Sequence, residues 1–211
     1  MKFKRLPGIY AITPETEDTK QLLEKIEFLL NSNVKIYQYR NKSSNSTLQK
    51  QQSAAISDLV KSKEGIFLVN DSVELAKFSN ADGVHLGEND VSISYARKRL
   101  SKSTFIGSSC YANLSTALQA YRSGADYVAF GSFFHSVTKP LATKANLKVI
   151  KQFKSQAALP VAAIGGINEN NVEAVLSAGA DLVAMSGALF NTNNIGTSIG
   201  KINSVLKKFR K

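Results

Sequence analysis

Ser123-Gly124-Ala125-Asp126-Tyr127-Val128 and Ala178-Gly179-Ala180-Asp181-Leu182-Val183 are one device written twice, and Asn80-Ala81-Asp82-Gly83-Val84 is a weaker copy. Each reads as a helix stop, with Gly or Asn suited to a left-handed cap, leading directly into a strand. Working outward, short β-branched runs alternate with longer helical patterns. Candidate strands are Gly8–Thr13, Val34–Arg40, Gly65–Asn70, Gly83–Leu86, Thr104–Ser108, Asp126–Gly131, Pro160–Gly165 and Asp181–Ser186. They are nearly continuous apolar runs, as strands covered on both faces must be. Between them, Thr19–Leu30 places Leu22, Leu23, Ile26, Leu29 and Leu30 on one helical stripe. Thr47–Lys61, Val73–Ser79, Ser92–Leu100, Asn113–Ser123, Lys144–Gln156, Glu169–Ala178 and Ser198–Phe209 fill the other gaps. Strand–helix alternation implies parallel pairing through right-handed crossovers. Eight such units predict an α/β fold, a (β/α)8 TIM barrel, with an open doubly wound sheet as the alternative. No linker or low-complexity tract divides the chain, so residues 1–211 are expected to form a single domain.

A chain of 211 residues suffices for one well-buried core. The single cysteine, Cys110, forms no internal disulfide, and the expected compartment is the reducing cytoplasm. The run after the basic N-terminus is too short for a signal-peptide core, and no apolar stretch approaches membrane-spanning length. The net charge of +11 is concentrated in part at the two ends, without a basic run interleaved with aromatics. It is read as solvated surface that attracts anionic small molecules, with no nucleic-acid and no membrane partner expected. Assembly into a homo-oligomer is left open.

In a barrel of this kind the loops after the strands build the site, and here those positions carry the polar residues. Gln38, Arg40 and Lys42 alternate at the end of the second strand, with Tyr39 and Asn41 between them, so that period 2 puts the three on one face. Arg and Lys so close together call for an anion such as a pyrophosphate. Asn70-Asp71 and Asp90 follow the third and fourth strands. Each aspartate is either a ligand for Mg²⁺ or a helix N-cap. Glu88 is a weaker third carboxylate, and His85, between Val84 and Leu86, reads as a packing residue or one supporting the site from behind. Ser109 follows the fifth strand and could hold a phosphate or a ring substituent. No Asp–His pair accompanies it, so a hydrolase triad is not expected. Cys110 reads as inert. Ser136-Val137-Thr138-Lys139 supplies two hydroxyls and an amine to the sixth loop, where His135 is a loop residue. Gly165-Gly166 and Ser186-Gly187 end the last two strands, where backbone N–H groups commonly bind phosphate. Ser43–Thr47 is a candidate lid.

Taken as an ordered set, these motifs resemble the thiamine phosphate synthase family from Gly8 to Phe209. The matching stretches are Gln38-x-Arg40-x-Lys42, Asn70-Asp71, Gly83-Val84-His85-Leu86-Gly87 with Asp90, Gly107-x-Ser109, Ser136-x-Thr138-Lys139, Ala163-Ile164-Gly165-Gly166-Ile167 and Met185-Ser186-Gly187. The resemblance implies a transferase that joins an aminopyrimidine-methyl diphosphate to a hydroxyethylthiazole phosphate, or its carboxylated form, releasing pyrophosphate. It implies that Gln38, Arg40, Lys42, Asn70, Ser109 and Lys139 hold the diphosphate substrate, with Tyr39 and Asn41 in the same cluster. Asp71 and Asp90 would bind Mg²⁺. Ser136, Val137, Thr138, Gly166, Ser186 and Gly187 would hold the thiazole phosphate, and Arg40, Lys42 and Lys139 would stabilise the leaving group. Ser132 stands where the family often has Pro, Ser136 where it often has Thr, and Tyr111 where relatives often carry His. Tyr111 and the intact Gln-x-Arg-x-Lys and Asn-Asp sets separate the chain from the related thiazole tautomerase. A non-catalytic binder of phosphorylated metabolites is the other alternative.

Overall fold

The computed structural model describes residues 8–135, 144–191 and 194–209. Strands β1 (Gly8–Ile12), β2 (Ile36–Tyr39), β3 (Ile66–Asn70), β4 (Gly83–Leu86), β5 (Phe105–Tyr111), β6 (Tyr127–Phe130), β7 (Val161–Ile164) and β8 (Leu182–Met185) pair in chain order into a closed barrel. Every pairing is parallel, including the closing contact of β1 with β8. The helices between them are α1 (Thr19–Asn31), α2 (Ser46–Ser62), α3 (Val73–Phe78), α4 (Ile93–Arg99), α5 (Leu114–Arg122), α6 (Lys148–Lys154) and α7 (Val172–Ser177), followed by α8 (Gly187–Phe190) and α9 (Ile195–Phe209). The closed barrel replaces the open-sheet alternative.

The strands read as continuous apolar runs because they serve two cores. Outward residues such as Ala11, Tyr37, Phe67, Val84, Ile106, Phe130, Ala163 and Val183 pack beneath the helices. Their neighbours Tyr10, Ile12, Ile36, Leu68, Tyr127, Ala129, Ala162 and Ala184 fill the barrel interior, as period 2 requires. Side chains of this size fill a barrel of eight strands, leaving a packed interior and no pore.

The repeated device caps helices as its sequence indicates. Asn80, Gly124 and Gly179 take positive φ of 49°, 88° and 104°. The amides of Ala81, Ala125 and Ala180 reach back to the carbonyls of Ala76, Ala120 and Val175, closing the last helical turn. The aspartate that follows has a second task. Asp82, Asp126 and Asp181 each donate their backbone N–H to Phe67, Ile106 and Val161, respectively, and each carboxylate accepts the N–H of that same residue at 2.7 to 2.9 Å. The motif therefore staples β3 to β4, β5 to β6 and β7 to β8 at the end of the barrel where the strands begin.

The differences from the sequence reading are local. β5 runs on to Tyr111, because the Ser-Ser-Cys-Tyr segment keeps pairing with β6 across a bulge between Ser109 and Tyr111. Asn146 and Asn171 hold turns where the helical pattern had started earlier, so α6 and α7 begin at Lys148 and Val172. The single turn α8 was not anticipated.

Candidate active site

Asp71 and Asp90 are not the caps of the helices that follow them. Ser72 Oγ accepts from Leu75 N to cap α3, and Ser92 Oγ accepts from Tyr95 N to cap α4. With capping assigned elsewhere, the two carboxylates turn to one another at the mouth of the barrel. Asp71 takes a left-handed backbone conformation, φ 65°, uncommon for a residue with a Cβ and frequently found at functional positions. Its carboxylate pairs with Lys42 Nζ at 3.0 Å and lies within hydrogen-bonding reach of Asp90. Burial, reinforced by the Asp71 carboxylate, holds Asp90 above the usual carboxylate range, against the opposing pull of the Gly87 N–H and Lys42. Two carboxylates placed together beside Lys42 at the mouth of the barrel suit a hard divalent cation. No cluster of three or more His, Cys, Asp or Glu side chains able to hold a metal occurs among the described residues.

β2 ends at Tyr39, so of the alternating trio only Gln38 lies in the strand, buried and facing inward. Arg40 and Lys42 extend past it. Arg40 is anchored by its backbone N–H to Thr13 Oγ1 and faces Glu15 at 4.0 Å. The repulsion expected between Arg40 and Lys42 is thus offset by a separate carboxylate for each. Both pairs are partly exposed and exchangeable. Tyr39 departs from the clustered reading. Its ring packs beneath the helices and its hydroxyl donates to Gln52 Oε1 at 2.9 Å. Asn41 bonds the same oxygen, and its own Oδ1 accepts from Ser43 N. Gln52, fully buried on α2, also reaches Thr16 and Thr19 and so ties the first two loops together. A buried Gln on a helix gives no sequence signal of that role. Of the candidate lid, Asn45 caps α2, and Ser46 and Thr47 lie within it.

The chain is matched from residue 9 to residue 189 by the family model described as thiamine monophosphate synthase. It is 40% identical to the thiamine-phosphate synthase of Nitrosospira multiformis over 97% of this chain and 88% of that protein. It is 43% identical to the thiamine-phosphate synthase of Methylobacillus flagellatus over 90% of each chain. The chain belongs to the thiamine monophosphate synthase family. Its fold superposes on thiamine phosphate pyrophosphorylase from Pyrococcus furiosus with a TM-score of 0.87, 27% identity and full coverage of both chains. It is accordingly an enzyme, a transferase of thiamine biosynthesis.

Other residues expected from resemblance to this family sit as follows. Ser109 lies within β5 and bonds His85 Nε2 at 2.9 Å. Asn70 closes β3 beside His85 of β4. Gly166 has φ 61°, and a Cβ there would stand 2.1 Å from the carbonyl oxygen of His135, so the seventh loop passes the sixth only as glycine. Ser186 and Gly187 open α8. Ser136, Val137, Thr138 and Lys139 lie outside the described residues. Cys110 is buried in the helical layer, and burial pushes its thiol up to about 12, as suits an inert residue. Tyr111, at φ 51°, stands at the mouth near the loop of Gly87 and Asp90.

Proposed function

We propose that this transferase joins an aminopyrimidine-methyl diphosphate to a hydroxyethylthiazole phosphate, or its carboxylated form, with Mg²⁺, releasing pyrophosphate and thiamine phosphate and, from the carboxylated acceptor, CO2 as well. The observation that carries the reading is the juxtaposed pair Asp71 and Asp90 beside Lys42, left free by the serine caps of α3 and α4. Asp71 and Asp90 would hold the cation, which when bound neutralises charge on the diphosphate oxygens. Arg40 and Lys42, exchanging Glu15 and Asp71 for the substrate, would stabilise the negative charge that develops as the methylene C–O bond breaks. Lys139 is assigned the same role. The electron pair of that bond leaves with pyrophosphate, and the electron-rich pyrimidine shares the positive charge left on carbon. The thiazole nitrogen then donates its lone pair to that carbon. Gln38, Asn70 and Ser109 would hold the diphosphate substrate, and Ser136, Val137, Thr138, Gly166, Ser186 and Gly187 the thiazole phosphate. No protein nucleophile is required, so catalysis rests on positioning and electrostatics.

The test is pyrophosphate release with both substrates, with and without Mg²⁺. Release that needs both the metal and the thiazole phosphate, with thiamine phosphate as co-product, is the expected result. A folded protein that binds the diphosphate but releases nothing would be a phosphometabolite-binding protein instead. Among the described residues no helix is long and apolar enough to cross a membrane, and the proposed setting is the cytoplasm.

A further inference from the structure

Five polar side chains cross the apolar interior of the barrel in one hydrogen-bonded line. Gln38 Nε2 donates to Tyr10 Oη at 2.6 Å. Tyr10 Oη lies 2.8 Å from Tyr127 Oη, across 117 residues of sequence. Tyr127 Oη lies 2.8 Å from His85 Nδ1, and His85 Nε2 lies 2.9 Å from Ser109 Oγ. The line joins β2 to β5 through β1, β6 and β4. Its two ends are residues assigned above to the diphosphate substrate, whereas its three central residues carry no role in that chemistry.

Packing alone does not call for these hydroxyls. Tyr10 and Tyr127 are 1% and 0% exposed among Ile12, Leu68, Ala129, Ala162 and Ala184. A phenylalanine would fill either place without a polar group to satisfy. The ring of Tyr127 crosses the interior only because its β5 neighbour is Gly107. A Cβ there would lie 2.1 Å from Tyr127 Cζ. The imidazole of His85 stacks on the same ring, with centroids 5.5 Å apart. Burial raises both phenols well above their ordinary range, so each keeps its proton and has one to donate.

We propose that Tyr10, Tyr127 and His85 are positioning residues that lock the Gln38 amide and the Ser109 hydroxyl into one donor–acceptor sense, and so orient the pyrimidine ring. Followed from the amide end, Tyr10 accepts from Gln38 and donates to Tyr127, and Tyr127 donates to His85 Nδ1. His85 then carries its proton on Nε2 and donates it to Ser109. Ser109 is left with a proton to give, and Gln38 with Oε1 to accept. An amino-substituted nitrogen heterocycle offers the complements, a ring-nitrogen acceptor and an amino donor. A hydrogen bond whose direction is already set costs no reorganisation when the substrate binds.

This inference rests on the proposed function, and the experiment separates the two. In the ligand-free protein, ¹⁵N NMR reads the His85 tautomer without any substrate. The Nε2–H form is expected in the wild type, with a mixture of tautomers in Tyr127→Phe. Steady-state kinetics of wild type, Tyr127→Phe and Tyr10→Phe follow. Each variant is expected to lower kcat/KM for the pyrimidine diphosphate by about tenfold, the loss of one buried hydrogen bond, with KM for the thiazole phosphate unchanged. In the wild-type background the Gln38→Ala and Ser109→Ala losses should be non-additive, and in Tyr127→Phe they should become additive. The proposal is overturned by an Nδ1–H tautomer in the wild type. Additive losses in both backgrounds, or variants that melt earlier with kcat/KM within about twofold, would also overturn it. A wild type that releases no pyrophosphate would sink the proposed function, while the tautomer would still decide the direction of the line.

Discussion

The two ends of the barrel use the same side chain for opposite purposes. Where the strands begin, Asp82, Asp126 and Asp181 each grip the backbone of the preceding strand through one N–H and one C=O. Two of them also carry a basic partner from a helix, Arg97 for Asp126 and Lys154 for Asp181. Each of these carboxylates accepts at least one hydrogen bond from the strand it grips, and its charge serves to hold strands in register. Where the strands end, Asp71 and Asp90 face each other, with Lys42 and the Gly87 N–H as partial compensation, and Asp90 is left harder to ionise than an ordinary carboxylate. Satisfied carboxylates stabilise a fold. A pair that repels is tolerated where a ligand completes it, which fits the general division of barrels into a stabilising face and a catalytic face.

The comparison breaks most visibly at the mouth. Asp71→Asn and Asp90→Asn should each lower Mg²⁺-dependent pyrophosphate release by on the order of a hundredfold or more, since on the proposed reading each removes a carboxylate that would hold the cation, whose charge would act on the leaving group. Thermal melting of the same variants should show no loss of stability. A fall in Tm that parallels the lost activity would return these residues to a structural role.

At the other end the order of effects should reverse. Asp126→Ala removes a charge-assisted acceptor for Ile106 N–H and the partner of Arg97, worth about 2 kcal/mol. For a domain of this size that corresponds to a drop in Tm of roughly 4–8 °C. Turnover measured well below the transition should stay within about twofold of wild type. Asp126→Asn, which keeps an oxygen, should lose less.

Two smaller effects sharpen the contrast. Glu15→Gln frees Arg40 from its partly exposed partner and should lower KM for the diphosphate by no more than about threefold, as the modest energy of such pairs requires. Asp90→Asn should also raise the Tm of the metal-free protein at neutral pH. With its folded-state pKa raised, Asp90 binds a proton more tightly in the folded chain than in the unfolded one. The stability tied to this group is therefore fully present below the ordinary carboxylate pKa of about 4 and lost as pH rises through the folded-state value. Asn imitates the protonated form, so its advantage should vanish in melts below about pH 4. An advantage that persists there would point to a cause other than charge.

Much of this was written locally in the chain. The Gly-Ala-Asp repeat located the helix ends, and continuous apolar runs located all eight strands to within a few residues, because capping and burial on two faces leave periodic, short-range signals. The position of the polar clusters after the strands placed Gln38, Arg40, Lys42, Asp71, Asp90 and Ser109 at one end of the barrel on the same grounds. Closure of the barrel decided what the chain could not state. Whether Asp71 and Asp90 cap helices or face each other depends on which neighbour captures the orphan N–H groups, and Ser72 and Ser92 do so. Tyr39 shares the polar cluster in sequence, but strand alternation sends its side chain outward, beneath α2. The line from Gln38 to Ser109 joins residues from five strands. Alternation marks each as inward-facing, but only the stagger of the closed barrel brings Tyr10 to Tyr127 and Tyr127 to His85, since contacts between distant strands are fixed by register and not by local sequence.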